Sequence, residues 1–275
     1  MPPPRSPSTA LPDVASLSLS SFPSAAPAPP PYQAVPPLAA APPPSRGPRT
    51  SRTGAPPPQR RSSVEDRLAP LGRYDLTLVV DDSPSMVDYW DETRSALMGV
   101  VEKCTKYDKD GIDVLFLNAE ERRMANVTDP ALVERAFREV EPQGSTPTGM
   151  VLDELLREYV ERVEDAKQTR ERVKPLLVLV LTDGRADDPD MVKDIIVEMA
   201  QRLDEVRAPP YQLGIQFVQI GSDPDARAFL QELDDDLKPQ LGVRDMVDCT
   251  PFEGEITPDF ILKAALGAVV RSIDG

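Results

Sequence analysis

The 275-residue sequence contains no histidine. That absence excludes Ser-His-Asp and Cys-His catalysis, histidine-ligated zinc and imidazole acid–base chemistry. Cysteine occurs only at Cys104 and Cys249. Two thiols are too few for a thiolate metal cluster or a disulfide framework, and a reduced pair is the expectation. No run of about 18 apolar residues occurs, so no membrane span is expected. Met1 to Pro12 lacks the compact apolar stretch behind basic residues that marks a secretory signal. These absences predict a cytoplasmic protein, with the nucleus as the alternative because Arg60-Arg61 forms a short basic cluster. Neither a Walker A sequence nor a dinucleotide glycine pattern is found.

What is present is unevenly distributed. Twenty of the 32 prolines fall in residues 1–70, where seven Lys or Arg outnumber three Asp or Glu. The other 205 residues hold 24 Lys or Arg against 43 acids, a net charge of −19 within a total of −15. The sequence therefore predicts a disordered Pro/Ala/Ser-rich tail over residues 1–72 and an acidic domain over residues 73–275. The tail offers too few large apolar groups to offset the entropy of ordering it. The domain has a normal size for one hydrophobic core, and its charge disfavours nucleic acid. Within the tail, Pro29-Pro30-Pro31-Tyr32 resembles the PPxY ligands of WW domains, and Arg60-Arg61-Ser62-Ser63 matches a basic-directed kinase site.

The acidic domain alternates short apolar runs with helical periodicity. Strands are predicted at 75–80, 112–117, 175–181, 212–220 and 244–249, and a short antiparallel strand near 122–127. Helices are predicted at 88–107, 129–140, 148–163, 190–203, 223–237 and 258–273. The 129–140 helix has Thr128 or Asp129 as its cap. The run Pro175 to Leu181 is apolar throughout, which places it centrally with both faces covered. Strands alternating with helices of this length define an α/β fold: a doubly wound, mostly parallel sheet with helices on both faces.

In such sheets ligands bind at the carboxyl ends of the strands. Three oxygen-rich loops are expected there: Asp81-Asp82-Ser83-Pro84-Ser85, Gly144-Ser145-Thr146-Pro147-Thr148-Gly149, and Thr182-Asp183-Gly184. Asp81, Ser83 and Ser85 alternate, so one turn can point all three inward, and Thr146 and Asp183 would complete a ring. Such a set lacks nitrogen and sulfur and suits a hard cation, Mg2+ first, with Mn2+ or Ca2+ as alternatives. Two carboxylates against a divalent charge leave room for an outside carboxylate.

D-x-S-x-S at residues 81–85, G-x-T-x-T-G at 144–149 and T-D-G at 182–184, in this order, resemble the von Willebrand factor A domain with its metal ion-dependent adhesion site. The resemblance covers residues 73–273. It implies a Rossmann-like fold, metal ligation by Asp81, Ser83, Ser85, Thr146 and Asp183, and a partner protein whose acidic side chain completes the metal shell. Ser83 and Ser85 would bind through hydroxyls, and Thr146 and Asp183 directly or through water. The stretches GIQFVQIGSDPDA and RDMVDCTP are also similar to intracellular fungal proteins with a single such domain. Pro84 stands where the family commonly has glycine.

The expected function is a metal-dependent protein-binding scaffold without catalysis. One alternative is a Mg2+-dependent hydrolase or phosphatase of the haloacid dehalogenase kind, but its second aspartate would fall at Ser83. The other is an assembly component with a vestigial metal site. Asp82 is expected to be exposed, Asp187 and Asp188 to lie in a solvated loop and helix start, Asp234-Asp235-Asp236 to form a solvated turn, and Tyr89 and Trp90 to pack between helix and sheet.

Overall fold

A computed structural model describes residues 67–274. The PPxY segment and the Arg60–Ser63 site lie outside them. Among the described residues, six strands form one sheet: β1 (Asp75–Val80), β2 (Ile112–Phe116), β3 (Met124–Val127), β4 (Leu176–Thr182), β5 (Leu213–Gln219) and β6 (Val247–Thr250). Their spatial order is β3-β2-β1-β4-β5-β6. Five strands are parallel, and β3 runs antiparallel to β2 at one edge.

Among the described residues, six α-helices connect and cover the strands: α1 (Trp90–Cys104), α2 (Pro130–Glu139), α3 (Thr148–Thr169), α4 (Pro189–Glu205), α5 (Pro224–Leu241) and α6 (Pro258–Asp274). Side chains alternate between the faces of a strand. Leu76, Leu78 and Val80 of β1 and Leu177, Leu179 and Leu181 of β4 join the core formed with α1, α2 and α6. Val79, Leu176, Val178 and Val180 join the opposite core, with α3, α4 and α5. Every residue of β4 is buried, which explains why its sequence shows no polar alternation. Burying each such Leu or Val stabilises by about 1.5–3 kcal/mol relative to leaving it exposed.

Two details fix the start of the domain and of its helices. Leu68 and Leu71 are buried in the first core, so packing begins ahead of Tyr74. Asp129 caps α2 by accepting the Ala131 N–H at 2.9 Å, with Pro130 at the first helical position, where its missing N–H costs nothing. No helix among the described residues is long and apolar enough to cross a membrane.

The chain leaves β1 toward β2 on one side and reaches β4 on the other, so the direction of winding reverses between β1 and β4. The carboxyl ends of these two neighbours frame the crevice that this topology opens for a ligand.

Candidate metal centre

Asp81 and Asp183 sit at that crevice, one residue beyond β1 and β4 respectively. The Asp81 carboxylate is held from both sides. Its Oδ1 accepts the Ser83 N–H at 2.9 Å, and its Oδ2 accepts the Thr182 hydroxyl at 2.6 Å. Thr182 thus ties the end of β4 to the end of β1. The hydroxyls of Ser83 and Ser85 lie 3.0 Å apart, and Ser85 donates to Asp183 Oδ1 at 2.8 Å. Four of the five expected ligands therefore form one hydrogen-bonded chain, Asp81–Ser83–Ser85–Asp183.

Thr146, the fifth, makes no direct bond to these four. Backbone bonds place it: its N–H donates to Asp187 Oδ2 at 2.8 Å, and its carbonyl accepts the Asp187 N–H at 3.0 Å. The loop carrying Thr146 is thereby locked to the loop that follows Asp183.

Local conformation shows how the first loop presents its oxygens. Ser83 is the N-cap of a 3-10 helix, Pro84–Tyr89, yet its side chain makes no capping bond. A serine at that position ordinarily gives its oxygen to a backbone N–H of the first turn. Here the hydroxyl is turned to Ser85 instead. Pro84 occupies the first helical position, where a fixed φ and a missing N–H are tolerated. The proline departure from the family pattern is thus accommodated by the helix start. The Thr146 hydroxyl likewise accepts or donates no hydrogen bond among the described residues, although the residue is buried.

The electrostatics point the same way. Burial, first of all, pushes the Asp81 and Asp183 carboxyls above the ordinary carboxylate range, with Asp82 adding to the shift of Asp81, and Asp81 and Asp223 adding to that of Asp183. No lysine or arginine among the described residues pairs with either. Buried carboxylates without a cationic partner are costly unless a cation is supplied. An all-oxygen set of two carboxylates and three hydroxyls, none of the hydroxyls bonded to backbone, fits a hard divalent ion.

Three carboxylates support the site, and one of them, Asp82, corrects the sequence reading. Asp82 is fully buried, not exposed. Its Oδ1 accepts both the backbone and side-chain N–H of Asn118 at 2.8 Å, and its Oδ2 accepts the Ala119 N–H at 3.1 Å. Asp187 lies in an exposed loop, as expected, and there it accepts the Thr146 N–H and so positions that residue. Asp188 receives the Gly149 and Met150 N–H groups at 2.9 and 3.0 Å, so it caps α3 from the start of α4. A Cβ at Gly149 would lie 2.8 Å from Asp188 Oδ2 and 2.9 Å from the Met191 Cβ, which explains the glycine that closes the second motif. Asn118 went unnoticed in the sequence. Its only signal was position: a polar residue two places beyond the strand that neighbours β1.

Trp90 packs as expected, within 4.4 Å of Phe137 between ring centres, and donates its indole N–H to the Phe137 carbonyl at 3.1 Å. Tyr89 meets the Phe252 ring edge-on. In the acidic run, Asp235 is exposed, whereas Asp234 is half-buried and accepts the Cys249 N–H of β6 at 3.3 Å, a correction to the solvated-turn expectation at that residue.

With this geometry in hand, a comparison with family models defines the class. The family model of the von Willebrand factor type A domain matches residues 75–241, and the chain belongs to that family, which is generally one of metal-dependent protein-interaction modules. Among solved structures the chain is similar to the pilus adhesin SpaC from Lactobacillus rhamnosus GG in its open conformation, at 11% identity and a TM-score of 0.39. That similarity covers 73% of this chain and 30% of the adhesin, so this chain spans under a third of that protein. No curated protein matches the sequence.

Proposed function

We propose that this chain is a protein-binding module that holds Mg2+ through Asp81, Ser83, Ser85, Thr146 and Asp183, the metal ion-dependent adhesion site of its family. The observation that carries this reading is the Asp81–Ser83–Ser85–Asp183 chain, in which Asp81, Ser83 and Asp183 are buried and Ser85 is exposed, and which contains two carboxylates and no basic partner. When bound, Mg2+ supplies a Lewis-acidic position for an oxygen of an acidic side chain on the partner. The chain's own residues do the positioning. Thr182 orients Asp81, Asp187 orients Thr146, and Asp82 with Asn118 fixes the loops between them.

The reading assigns no catalysis. A haloacid dehalogenase-type phosphatase needs a second aspartate where this chain has Ser83, a hydroxyl engaged with Ser85. The proline-rich tail is proposed as a tether, with Pro29-Pro30-Pro31-Tyr32 as a second docking element for a WW-domain protein. Cytoplasmic residence is proposed alongside, with the nucleus as the alternative.

The test is thermal unfolding with Mg2+ and with EDTA. Mg2+ at a hundred times its Kd should stabilise the folded chain by about 2.7 kcal/mol. Asp81→Ala and Thr146→Ala should abolish the increment. Equal melting of wild type with and without metal would refute the site and leave the assembly-component reading. A pull-down in Mg2+ against EDTA then asks for the partner, and Mg2+-dependent turnover of a generic phosphoester would overturn the non-enzymatic assignment.

A further inference from the structure

The end of the sheet opposite the metal centre carries a second recessed surface. A cavity of about 680 Å3 opens where α3 and α4 finish and where β4 and β5 begin. That size lies within the range of about 300–1,000 Å3 common for ligand sites. Its floor is apolar, built from Val163, Ala166, Val173, Pro175 and Val206. The floor is also braced. The Tyr159 hydroxyl donates to the carbonyls of Lys174 and Gln212 at 3.0 and 2.9 Å, and Gln212 Nε2 donates back to Tyr159 at 2.6 Å. Gln212 is 7% exposed, and its Oε1 accepts no hydrogen bond among the described residues. The cavity thus contains an acceptor that a ligand N–H can reach.

The rim has a charge opposite to that of the domain. Lys167, Arg172 and Arg207 line it and are exposed, against a single carboxylate, Glu171. Lys174 also lines it, but its ammonium is held by Asp75, Asp108 and Asp110. Lys167, Arg172 and Arg207 make no ion pair with any described residue. In a domain where acids outnumber bases and most of the other lysines and arginines of its helices are paired, three unpaired cations around one apolar recess are an unusual grouping.

Backbone conformation adds an independent observation. Arg207 follows α4 with φ of 54°, in the left-handed region where a helix end ordinarily has glycine. A basic side chain at a helix carboxyl end gains from the helix dipole, but left-handed φ remains costly for it.

We propose that this cavity binds an acidic peptide segment of a partner protein, with one apolar side chain on the floor, carboxylates on Lys167, Arg172 and Arg207, and a peptide N–H on Gln212 Oε1. The apolar floor disfavours a bare inorganic anion. The chain's own residues 1–70 carry seven bases against three acids, so their charge does not complement the rim. The site lies at the other end of the strands from Asp81 and Asp183 and is independent of the metal.

The experiment is fluorescence anisotropy on the full chain with a labelled pentapeptide of four glutamates around one phenylalanine, beside its four-glutamine counterpart. Wild type should bind the acidic peptide and not the glutamine peptide, more weakly at high salt and equally in EDTA. The double variant R172Q/R207G should lose roughly tenfold or more in affinity. Because glycine suits the left-handed φ, the same variant should melt at or above the wild-type temperature, which separates lost binding from lost folding. Equal binding of both peptides, no binding by wild type, an undiminished affinity in the variant, or loss of binding in EDTA would each overturn the proposal. Light scattering guards the choice of occupant: concentration-dependent dimers in wild type that vanish in R172Q/R207G would assign the cavity to a second copy instead.

Discussion

Asn118 and Ser145 are hydrogen-bonded in both directions: Asn118 Nδ2 donates to the Ser145 carbonyl at 2.8 Å, and Asn118 Oδ1 accepts the Ser145 N–H at 3.1 Å. The same Asn118 also donates to Asp82. One side chain therefore couples the loop after β1, which bears Ser83 and Ser85, to the loop that bears Thr146. Asn118→Ala leaves a buried Asp82 oxygen short of a donor and frees the Thr146 loop. Loss of one such buried partner costs about 1–3 kcal/mol. The expected result is a lower melting temperature of that order and a weaker Mg2+ response, read by titration calorimetry. A variant with unchanged Mg2+ affinity would show that Thr146 needs no such anchoring.

A buried hydroxyl offers the opposite sign. Thr93 of α1 is completely buried, and its Oγ1 has no hydrogen-bond partner. Thr93→Val keeps the shape and removes the unsatisfied group, which costs about 1–3 kcal/mol when left unmade. The variant should melt higher than wild type and respond to Mg2+ identically, because α1 carries none of the proposed ligands. A lower melting temperature in denaturation experiments would mean that the hydroxyl has an acceptor in solution.

Much of this architecture was legible because short-range pattern determines it. β1 and β4 read as apolar runs because both their faces are covered, and the five proposed ligands read out because each lies in a compact motif. The boundaries moved where a local rule was overridden. The chain after Ser83 enters a 3-10 turn at Pro84 before α1 begins at Trp90, two residues later than its periodicity indicated. Helix α3 runs six residues past its predicted end, to Thr169, because Ala166 continues its buried stripe among charged neighbours. The supporting shell was not legible for a different reason. Asp82 with Asn118, Asp187 with Thr146, and Asp188 with Gly149 pair across about 36–41 positions of sequence. An acidic residue in a loop reads as solvated until the segment that folds onto it is known. Arg207 is the converse case: its charge was visible, but the recess and the left-handed backbone that give it meaning exist only in the fold.

The two cysteines set a pH dependence far from the metal centre. Burial, with Asp108 adding to it, pushes the Cys104 thiol from 9.0 up to about 12. Burial, with Asp234 and Asp248 adding, pushes Cys249 from 9.0 up to about 12. Both folded-state values lie above the unfolded ones, so unfolding at alkaline pH releases thiol protons. The thiols' contribution is fully present below the unfolded pKa and is lost as pH rises from there through the folded pKa. Stability of the native chain should therefore fall across that window, and less steeply in a C104A/C249A variant. Denaturant midpoints measured at several alkaline pH values check this, and equal slopes would remove the thiols as the cause. A thiol reagent at neutral pH should label both cysteines far faster in denaturant than in buffer.

Gly144 brings the fold and the candidate site together. Its φ is +88°, and a Cβ there would lie 2.4 Å from Asn118 Oδ1. Gly144→Ala thus meets two penalties: a left-handed backbone, at about 1–2 kcal/mol for a residue with a Cβ, and displacement of the side chain that anchors the Thr146 loop. Gly242 separates them. Its φ is +66°, and a Cβ there would meet nothing within 4 Å. Gly242→Ala should lose only the backbone contribution and keep its Mg2+-induced rise in melting temperature. Gly144→Ala should lose more stability than that and much of the rise as well. If both variants keep the full Mg2+ response, displacing Asn118 does not reach the metal ligands. If Gly144→Ala alone loses it, the Asp82–Asn118–Ser145 linkage is part of the binding site.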